Sequence, residues 1–552
     1  MNRETELHYS GVPTLHKPRS KMVIPNDLVT SMDAADVVPI FCDPDILPGD
    51  SITMRMASVI RMATPLYPIF GNIVADIMWF FIPYRLVWDH WREFWGENTN
   101  AWYQTTQYTV PQIMTFGTNG FEPKTLGDYL GMPVGIGGTE NISVNALPFR
   151  CYVKVWNDWF RSEALQQEAP TITTDSNVNY NATYAYMGGA LLKSNKLSDV
   201  YTRALPAPQK GPSVTLPLGT WSPVMTRADE FVPTGLTGND VLQWKKTTNA
   251  NWTASNNWTI GITTTNGSDN APTATRTSSA TAQDSVYPAN LWANLSSATS
   301  ATINDIRTAF QIQKFYEAQS MGSRYIEFVK NIFGVTSPDA RMQRSEYLGG
   351  KRLSLNIHTV LQTSSTDTTS PQGNTGAYSH TADSDTYFSH SFSEHGCLLG
   401  LITIRYYRSY NQGIPKGFLR KNWYDYYVPQ FAMLGNQPIY NEEIYAQGTS
   451  TDKEVFGYQE AWANGYRYHN STATAAMRTT YTQTLDSWHL ADHYTAKPVL
   501  GSTWIQEDKA NIDRTLAVAS TVENQFFGDF YFRPVYTRVM PLYSVPGLLD
   551  HF

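Results

Sequence analysis

Two short stretches carry residue types that could act as metal ligands, acids or bases. His489, Asp492 and His493 place two imidazoles four residues apart, the spacing of a zinc-binding helix. The stretch lacks the glutamate that zinc proteases carry between their two histidines, and no third ligand can be named, so a structural role is favoured. Glu394 and His395 are adjacent, but neighbours on a strand point to opposite faces and do not form an acid–base pair.

Other residues that could support catalysis or bind a cofactor give no pattern either. The cysteines Cys42, Cys151 and Cys397 are too few and too scattered for a disulfide framework or a metal cluster, which favours reduced thiols. The sequence contains no nucleophile elbow, phosphate-binding loop or dinucleotide-binding glycine motif. We therefore expect no catalytic residues, no metal, no cofactor and no enzymatic activity.

Cations and aromatic side chains occur together at two places that could contact single-stranded DNA. A basic cluster lies in a polar N-terminal arm, residues 1–36, where phosphate contacts would give salt-sensitive binding without sequence reading. A second cluster ends an apolar run, and its aromatic rings could stack on bases of any sequence. The DNA-facing candidates are His16, Lys17, Arg19, Lys21, Tyr406, Tyr407 and Arg408.

Most of the 16 Trp and 33 Tyr residues lie in apolar runs, which predicts core packing and subunit contacts. Residues 77–82 form an apolar run of strand length that ends at Pro83. Beyond it, Trp88, Trp91 and Trp95 follow the spacing of one helix face. We expect these three side chains to pack within the subunit or against a neighbouring subunit.

The overall composition indicates many short strands joined by turns. Only 16% of the 552 residues are charged, 13% are aromatic, and the chain has 36 Gly and 31 Pro. A net charge of −7 argues against a surface that binds nucleic acid everywhere, although it allows a local basic patch. The N-terminal residues do not have the pattern of a secretory signal. No apolar run approaches the length of about 20 residues that is needed to span a bilayer, so we expect no membrane insertion.

The hydrophobic patterns place strands towards both ends, with helices and loops between them. A short helix at 125–133 and longer helices at 147–167 and 301–334 are predicted, the last with a possible break at Gly322. Residues 364–385 are predicted to form a polar loop. Strands are predicted at residues 51–65, 351–363 and 396–410, and short aromatic strands from 411 onward.

Residues 220–300 differ in composition from the rest of the chain. They are dominated by Thr, Asn, Ser and Ala and have little apolar surface to bury, which predicts a surface insertion. Trp252 and Trp258 are its candidate surface residues. Terminal strands with large excursions between them are typical of a jelly roll. We therefore predict a mainly β jelly roll with helix-containing insertions between its strands, forming one domain over residues 1–552.

Several long blocks of the sequence resemble one protein family in the family's own order. They include DPDILPGDS (43–51), TPLYPIFGN (64–72), FFIPYRLVWD (80–89), LPFRCYVKVWNDWFR (147–161) and SFSEHGCLLGLITIRYYRSYNQGIP (391–415). These blocks are similar to the major capsid protein of microviruses, small icosahedral single-stranded DNA phages, in particular the gokushovirus branch.

The resemblance implies an eight-stranded antiparallel jelly roll. It also implies a structural protein that self-assembles into a T=1 icosahedral shell around a circular single-stranded DNA genome. It implies that the insertion at 220–300 forms a protrusion at the threefold axis and is used in host attachment. The implied partners are further copies of the chain, the packaged DNA, a small basic DNA-binding protein, a pilot protein and a bacterial receptor. The implied location is the virion, assembled in the host cytoplasm.

A carbohydrate-binding or glycan-hydrolysing β-sandwich is the alternative hypothesis. Its motivation is the number of aromatic residues and the Asn/Thr-rich loops, since aromatic rings can stack on sugars. Glycan hydrolysis needs two carboxylates at a defined separation, and no such pair can be located in the sequence.

Overall fold

In the computed structural model the chain divides by its internal contacts into two compact units, residues 1–210 with 317–552 and residues 211–316. The first unit contains both large sheets. The residues described are 18–99, 106–115, 120–136, 140, 142–215, 224–226, 244–246, 286–288, 291–293, 302–320, 322–364, 368, 371–480 and 483–543.

The described part of the chain is mainly β, with several antiparallel sheets and some helices. The first strands are β1 Ser20–Val23, β2 Asn26–Met32, β3 Val38–Ile46, β4 Ser51–Met62, β5 Ile73–Pro83, β6 Gln112–Thr115, β7 Ile142–Asn145 and β8 Val178–Asn179. The strands of the second unit are β9 Val224–Thr226, β10 Trp244–Lys246, β11 Val286–Pro288 and β12 Leu291–Ala293. The later strands are β13 Glu346–Ser354, β14 Ile357–Leu361, β15 Thr375–Ser379, β16 Thr381–Ser391, β17 Gly396–Tyr406, β18 Ser409–Tyr410, β19 Asn436–Tyr440, β20 Val455–Glu460, β21 Ser471–Thr472, β22 Ala491–Asp492, β23 Phe526–Phe532 and β24 Val535–Arg538. The helices are α1 Trp91–Phe94, α2 Leu126–Tyr129, α3 Leu147–Val155, α4 Ile303–Gln319, α5 Tyr325–Phe333, α6 Asn441–Ile444, α7 Ser502–Ile505 and α8 Ala510–Asp513.

The first large sheet is built around β4. One edge of β4 pairs with β16 along its length, and the other edge pairs with β23 and β24, which in turn pair with β2 and β1. Pro25 lies between β1 and β2, and Pro534 lies between β23 and β24. Because proline cannot donate to a ladder, each pair is one strand interrupted at a proline. The sheet is therefore four strands wide, and all its pairs are antiparallel.

The second large sheet has the order β13, β5, β17, β3, and its pairs are also antiparallel. β5 and β17 pair without a break from Gly396 opposite Pro83 to Tyr406 opposite Ile73. Nearly every residue of both strands is buried, whichever face it points to. Such continuous apolar strands need cover on both faces, so the second sheet lies in the middle of the unit.

One core lies between the two sheets, and Trp79 of β5 is at its centre. The Trp79 ring lies 5.5 Å from Phe41 of β3, 5.7 Å from Phe388 of β16 and 6.0 Å from Phe532 of β23, so it contacts both sheets. Gly400 of β17 makes room for this ring, because a Cβ there would come within 2.8 Å of it. Face-to-face packing of two sheets through interlocked side chains is a β-sandwich.

A second core covers the opposite face of the second sheet. Phe80 of β5 and Leu399 of β17 are fully buried there with Tyr152 of α3. The Tyr152 hydroxyl donates to the Val37 carbonyl at 2.7 Å and accepts from the Leu192 amide at 3.0 Å. These bonds satisfy the buried hydroxyl and connect α3 to the chain on either side of it.

Several predicted elements are confirmed. The run at 77–82 belongs to β5, the strand predicted at 51–65 is β4, and the strand predicted at 396–410 is β17, a central strand of its sheet. The long helix predicted at 301–334 is α4 and α5, interrupted around Gly322. The helix predicted at 147–167 begins as α3 and continues as one π-helical turn, Trp156–Phe160.

Other predicted elements are wrong. The Trp-lined helix after Pro83 is only a 3-10 turn, Tyr84–Leu86, and the four-residue α1. The loop predicted at 364–385 contains β15 and the start of β16, because its Ser and Thr residues pair with β14 and β4. The single strand predicted at 351–363 is divided between β13 and β14.

The second unit is described at residues 211–215, at residues 302–316, which include most of α4, and at four strands. These strands form two antiparallel pairs, β9 with β12 and β10 with β11. Trp252 and Trp258 of the predicted insertion lie outside the described residues. In the part of the chain that is described, no helix has the length and apolar character needed to cross a membrane.

Candidate assembly and DNA-facing surfaces

Tyr406 and Arg408 are inside the subunit, which corrects their prediction as DNA-facing residues. Tyr406 is the last residue of β17 and points into the core, where it is fully buried. Arg408 is also buried, and its guanidinium donates to Asp492 at 3.0 Å and to Glu507 at 3.1 Å. It also donates to the Tyr406 hydroxyl at 2.9 Å. These groups are already bonded to one another and cannot stack on or pair with DNA.

The same network explains the HLADH stretch. Burial disfavours ionisation of Asp492, but Arg408 and Lys196 outweigh it and hold the pKa of this carboxyl below its usual value. Asp492 also accepts from Tyr494 and Asn511, and the His489 ring nitrogen Nδ1 accepts from the Ala491 amide at 3.1 Å. Among the described residues no group of three His, Cys, Asp or Glu side chains could hold a metal ion. Asp492 is therefore a member of a buried ion-pair network with Arg408 and Lys196.

Tyr407 has the opposite orientation to Tyr406 and is 47% exposed. Arg19 and Lys21 are exposed as well, and Lys21 lies on β1, opposite Thr537. These three residues stay predicted DNA contacts. His16 and Lys17 lie outside the described residues.

The three tryptophans after β5 extend from the core to the surface. Trp88 is fully buried, and its indole nitrogen donates to Asp175 at 2.6 Å. Trp91 is half-buried and packs between Trp88 and Trp95, which is 59% exposed. The Trp95 ring stacks on His395 at 4.6 Å. Trp88 therefore packs within the subunit, whereas much of Trp95 is available to another molecule.

Glu394 and His395 make separate contacts. Glu394 forms an ion pair with Arg85 at 2.5 Å. His395 lies between the Trp91 and Trp95 rings, and burial lowers its pKa, which favours the neutral imidazole. The two side chains have different partners, as expected if they play structural roles and do not act as an acid–base pair.

The three cysteines are scattered in the sequence but come together in the fold. Cys42 on β3 and Cys397 on β17 place their sulfur atoms 3.7 Å apart, and the second core contains Cys397 and Cys151 of α3. Burial raises the pKa of the Cys397 thiol well above its usual value, so little thiolate is available for oxidation. Because 355 residues separate Cys42 from Cys397, sequence spacing could not indicate this cluster.

An exposed aromatic segment, residues 418–434, was not predicted. Phe418 is 84% exposed, Trp423 is 71% exposed and Met433 is 97% exposed. The segment contains 3-10 turns, Trp423–Asp425 and Pro429–Phe431, in place of the strands predicted from its aromatic residues. Monomeric proteins rarely expose so many large apolar side chains together, so this is a candidate contact surface.

Comparison with known proteins identifies the family to which these surfaces belong. Residues 10–548 match the family described as "Capsid protein (F protein)". The chain belongs to this capsid protein family.

Curated relatives span the whole length. The chain is 38% identical over 546 residues to "Capsid protein VP1" of Spiroplasma virus 4, which covers 97% of this chain and 96% of that protein. It is 37% identical to "Capsid protein VP1" of Bdellovibrio phage phiMH2K, over 100% of this chain and 99% of that protein. It is 35% identical to "Capsid protein VP1" of Chlamydia phage 1, over 98% and 97%.

Membership in the capsid protein family gives the chain a structural role in the virion and not an enzymatic one. The resemblance to microvirus capsid proteins is thereby confirmed, and the glycan-binding alternative gains no support. A capsid protein assembles with copies of itself, so exposed apolar side chains are expected where its subunits contact one another.

Replacing Arg408 with Met should lower the free energy of unfolding of the unassembled subunit by about 3–5 kcal/mol, because Asp492 and Glu507 stay buried without the guanidinium. Urea titration at neutral pH measures the change. Arg467→Met is the matched control, since Arg467 pairs with Glu460 at the surface and should contribute less than about 1 kcal/mol. Equal effects of the two substitutions would show that the buried network contributes little.

Proposed function

We propose that this chain is the major capsid subunit of a T=1 icosahedral virion that encloses a circular single-stranded DNA genome. The observation that carries the proposal is the match to capsid proteins over nearly the whole chain. The subunit uses shape and surface chemistry to bind its own copies and the genome.

The order of the strands supports an eight-stranded jelly roll. When β1 with β2 and β23 with β24 are each taken as one strand, the two sheets contain eight strands. Numbered along the chain, the first sheet has the order 1-8-3-6 and the second has the order 2-7-4-5. This alternation of strands between two facing antiparallel sheets is the one expected for two nested Greek keys, and it supports the jelly-roll arrangement of capsid domains.

Exposed aromatic residues support extensive contacts between subunits. Tight obligate interfaces commonly bury about 2,000 Å² or more and are rich in aromatic residues at their centres. The segment 418–434 and the exposed ring of Trp95 have this chemistry. We assign both to contacts between capsid subunits, where neighbouring copies would cover them.

The remaining partners are proposed from the family resemblance and from local chemistry. Arg19, Lys21 and Tyr407 would meet the packaged DNA, since they combine positive charge with an exposed ring. A small basic DNA-binding protein and a pilot protein would complete the virion. The insertion at 220–300, with Trp252 and Trp258, would form the threefold protrusion that attaches to a bacterial receptor.

Expression of the full chain should give uniform icosahedral particles in electron micrographs. In cells that also produce a circular single-stranded genome, particles treated with nuclease should retain that DNA. A purified chain that stays monomeric and binds or hydrolyses glycans would support the alternative hypothesis and overturn this one.

Trp88→Ala should mainly affect the stability of the subunit, whereas Trp95→Ala should mainly affect assembly. Trp88→Ala should lower the free energy of unfolding of the unassembled subunit by about 3–5 kcal/mol, because it removes a buried ring. Trp95→Ala should change it by less than about 0.5 kcal/mol but reduce the yield of shells. Urea titration and sedimentation measure the two quantities. An unchanged shell yield for Trp95→Ala would remove Trp95 from the interface.

Removing the insertion should leave assembly intact and reduce attachment. β9 and β12 bring Thr226 and Leu291 side by side, so residues 228–289 can be replaced by a short glycine linker without separating these strands. We expect shells in normal yield that adsorb poorly to host cells in a binding assay. A linker of the same composition inserted after Gln372, in the β14–β15 loop, serves as a control and should not alter adsorption. Loss of folding in the deletion variant would contradict the surface-insertion hypothesis.

A further inference from the structure

A cavity of about 310 Å³ lies on the face of the second sheet that α3 covers, and six of its lining residues carry the argument. They are Phe80, Trp159, Phe160, Tyr347, Asn195 and Arg405. Phe80 is fully buried, whereas Tyr347 is 43% exposed, so the cavity runs from the interior of the subunit to its surface. Its volume is at the lower end of the range of about 300–1,000 Å³ for small-ligand pockets.

Aromatic rings form most of the wall. The ring of Phe80 lies 5.7 Å from Trp159, 6.2 Å from Phe160 and 5.6 Å from Tyr347. Trp159 is held in place because its indole nitrogen donates to Ser345 and the Arg344 guanidinium lies 3.7 Å from the centre of its ring. The wall is therefore a fixed aromatic surface suited to a flat, polarisable group.

Two polar side chains in the lining give the cavity hydrogen-bonding capacity. The Asn195 amide nitrogen donates to the Phe160 carbonyl and to Gln166, whereas its Oδ1 is buried without a hydrogen-bond partner among the described residues. A buried acceptor without a partner is costly, so a ligand that carries a donor would gain from it. Arg405 also lines the cavity, where its guanidinium donates to Asp76 and to the Asn195 carbonyl.

The electrostatic surroundings are positive beside the cavity. Arg405 and Arg352 both bind Asp76, so two guanidinium groups share one carboxylate and leave one positive charge in excess. Despite its burial, these two arginines lower the pKa of Asp76, which keeps it ionised. Arg352 is exposed, and Tyr407 interacts with it. A ligand with an anionic group next to a flat ring would match both features.

We propose that this cavity binds one unstacked nucleobase of the enclosed single-stranded DNA, with the adjoining phosphate on Arg352. The proposal rests on the function proposed above, which supplies the DNA. The aromatic walls would stack on the base, and Asn195 Oδ1 would accept from an exocyclic amine or ring N–H. Tyr407, predicted from the sequence as a DNA contact, interacts with Arg352 and would therefore lie near the phosphate. An apolar side chain from a neighbouring protein could neither donate to Asn195 Oδ1 nor neutralise the excess positive charge. A nucleotide could do both, so it matches the cavity better.

The test compares two labelled oligodeoxynucleotides of the same length on the full-length unassembled subunit. One contains bases throughout, and the other has abasic sites in their place, so that only phosphate contacts remain. Tyr347→Ala should weaken binding of the first by about 5-fold or more, because a stacked base contributes about 1 kcal/mol or more. It should leave binding of the abasic strand unchanged.

Matched variants separate stacking from other effects. Tyr347→Phe keeps the ring and should bind like the unaltered chain. Tyr378→Ala removes an exposed tyrosine that does not line the cavity and should also leave binding unchanged. The urea midpoint of each variant shows whether it is folded.

Three outcomes are informative. Equal affinity of Tyr347→Ala and the unaltered chain for the base-containing strand would overturn the nucleobase site. A loss of shell yield without a change in affinity would assign the cavity to a side chain of another subunit and would also overturn it. Shells that form but protect no DNA, with no binding of either strand by the unaltered chain, would instead count against the proposed function.

Discussion

The continuous pairing of β5 with β17 is the constraint on which the other parts of the first unit depend. These two strands are buried on both faces, so the chain must supply an apolar layer on each side of them. The first sheet supplies one layer through Phe388 and Phe532, and the segment around α3 supplies the other through Tyr152. The long excursions are therefore not simple additions to a sandwich. One of them is the second half of its core.

Two sets of paired charges extend into this interior. Arg408 and Lys196 face Asp492 and Glu507, and Arg352 and Arg405 face Asp76. Replacing a single member leaves an unpaired buried charge, which costs more than the pair contributes. The two sets differ at one point that matters for function. The first is closed inside the subunit, whereas the second reaches the surface through Arg352 and keeps one positive charge in excess.

The sequence predicted the elements whose patterns are local. The runs that became β4, β5 and β17 have the length and apolar content of buried strands, and the breaks at Pro83 and Gly322 follow from backbone chemistry. It could not distinguish buried from exposed aromatic residues. Tyr406 and Tyr407 are neighbours with the same side chain, and only the packing of distant segments decides which of them is covered. The cysteine cluster, the Arg408 network and the aromatic cavity each combine residues from distant parts of the chain, 84 positions apart for Arg408 and Asp492 and 355 for Cys42 and Cys397. Spacing therefore carried no signal for them.

The pairing of the first strands with the last ones affects how the chain folds during synthesis. Both β2 and one edge of β4 pair with β23, which begins at Phe526, long after Met32 and Met62 at the ends of β2 and β4. The other edge of β4 also waits for a late strand, β16. Closing such long loops slows folding, and unpaired strand edges can associate between chains while they wait. The nascent subunit therefore spends most of its translation with an open sheet edge. The rate of translation and the access to chaperones thus become determinants of how many subunits reach the shell.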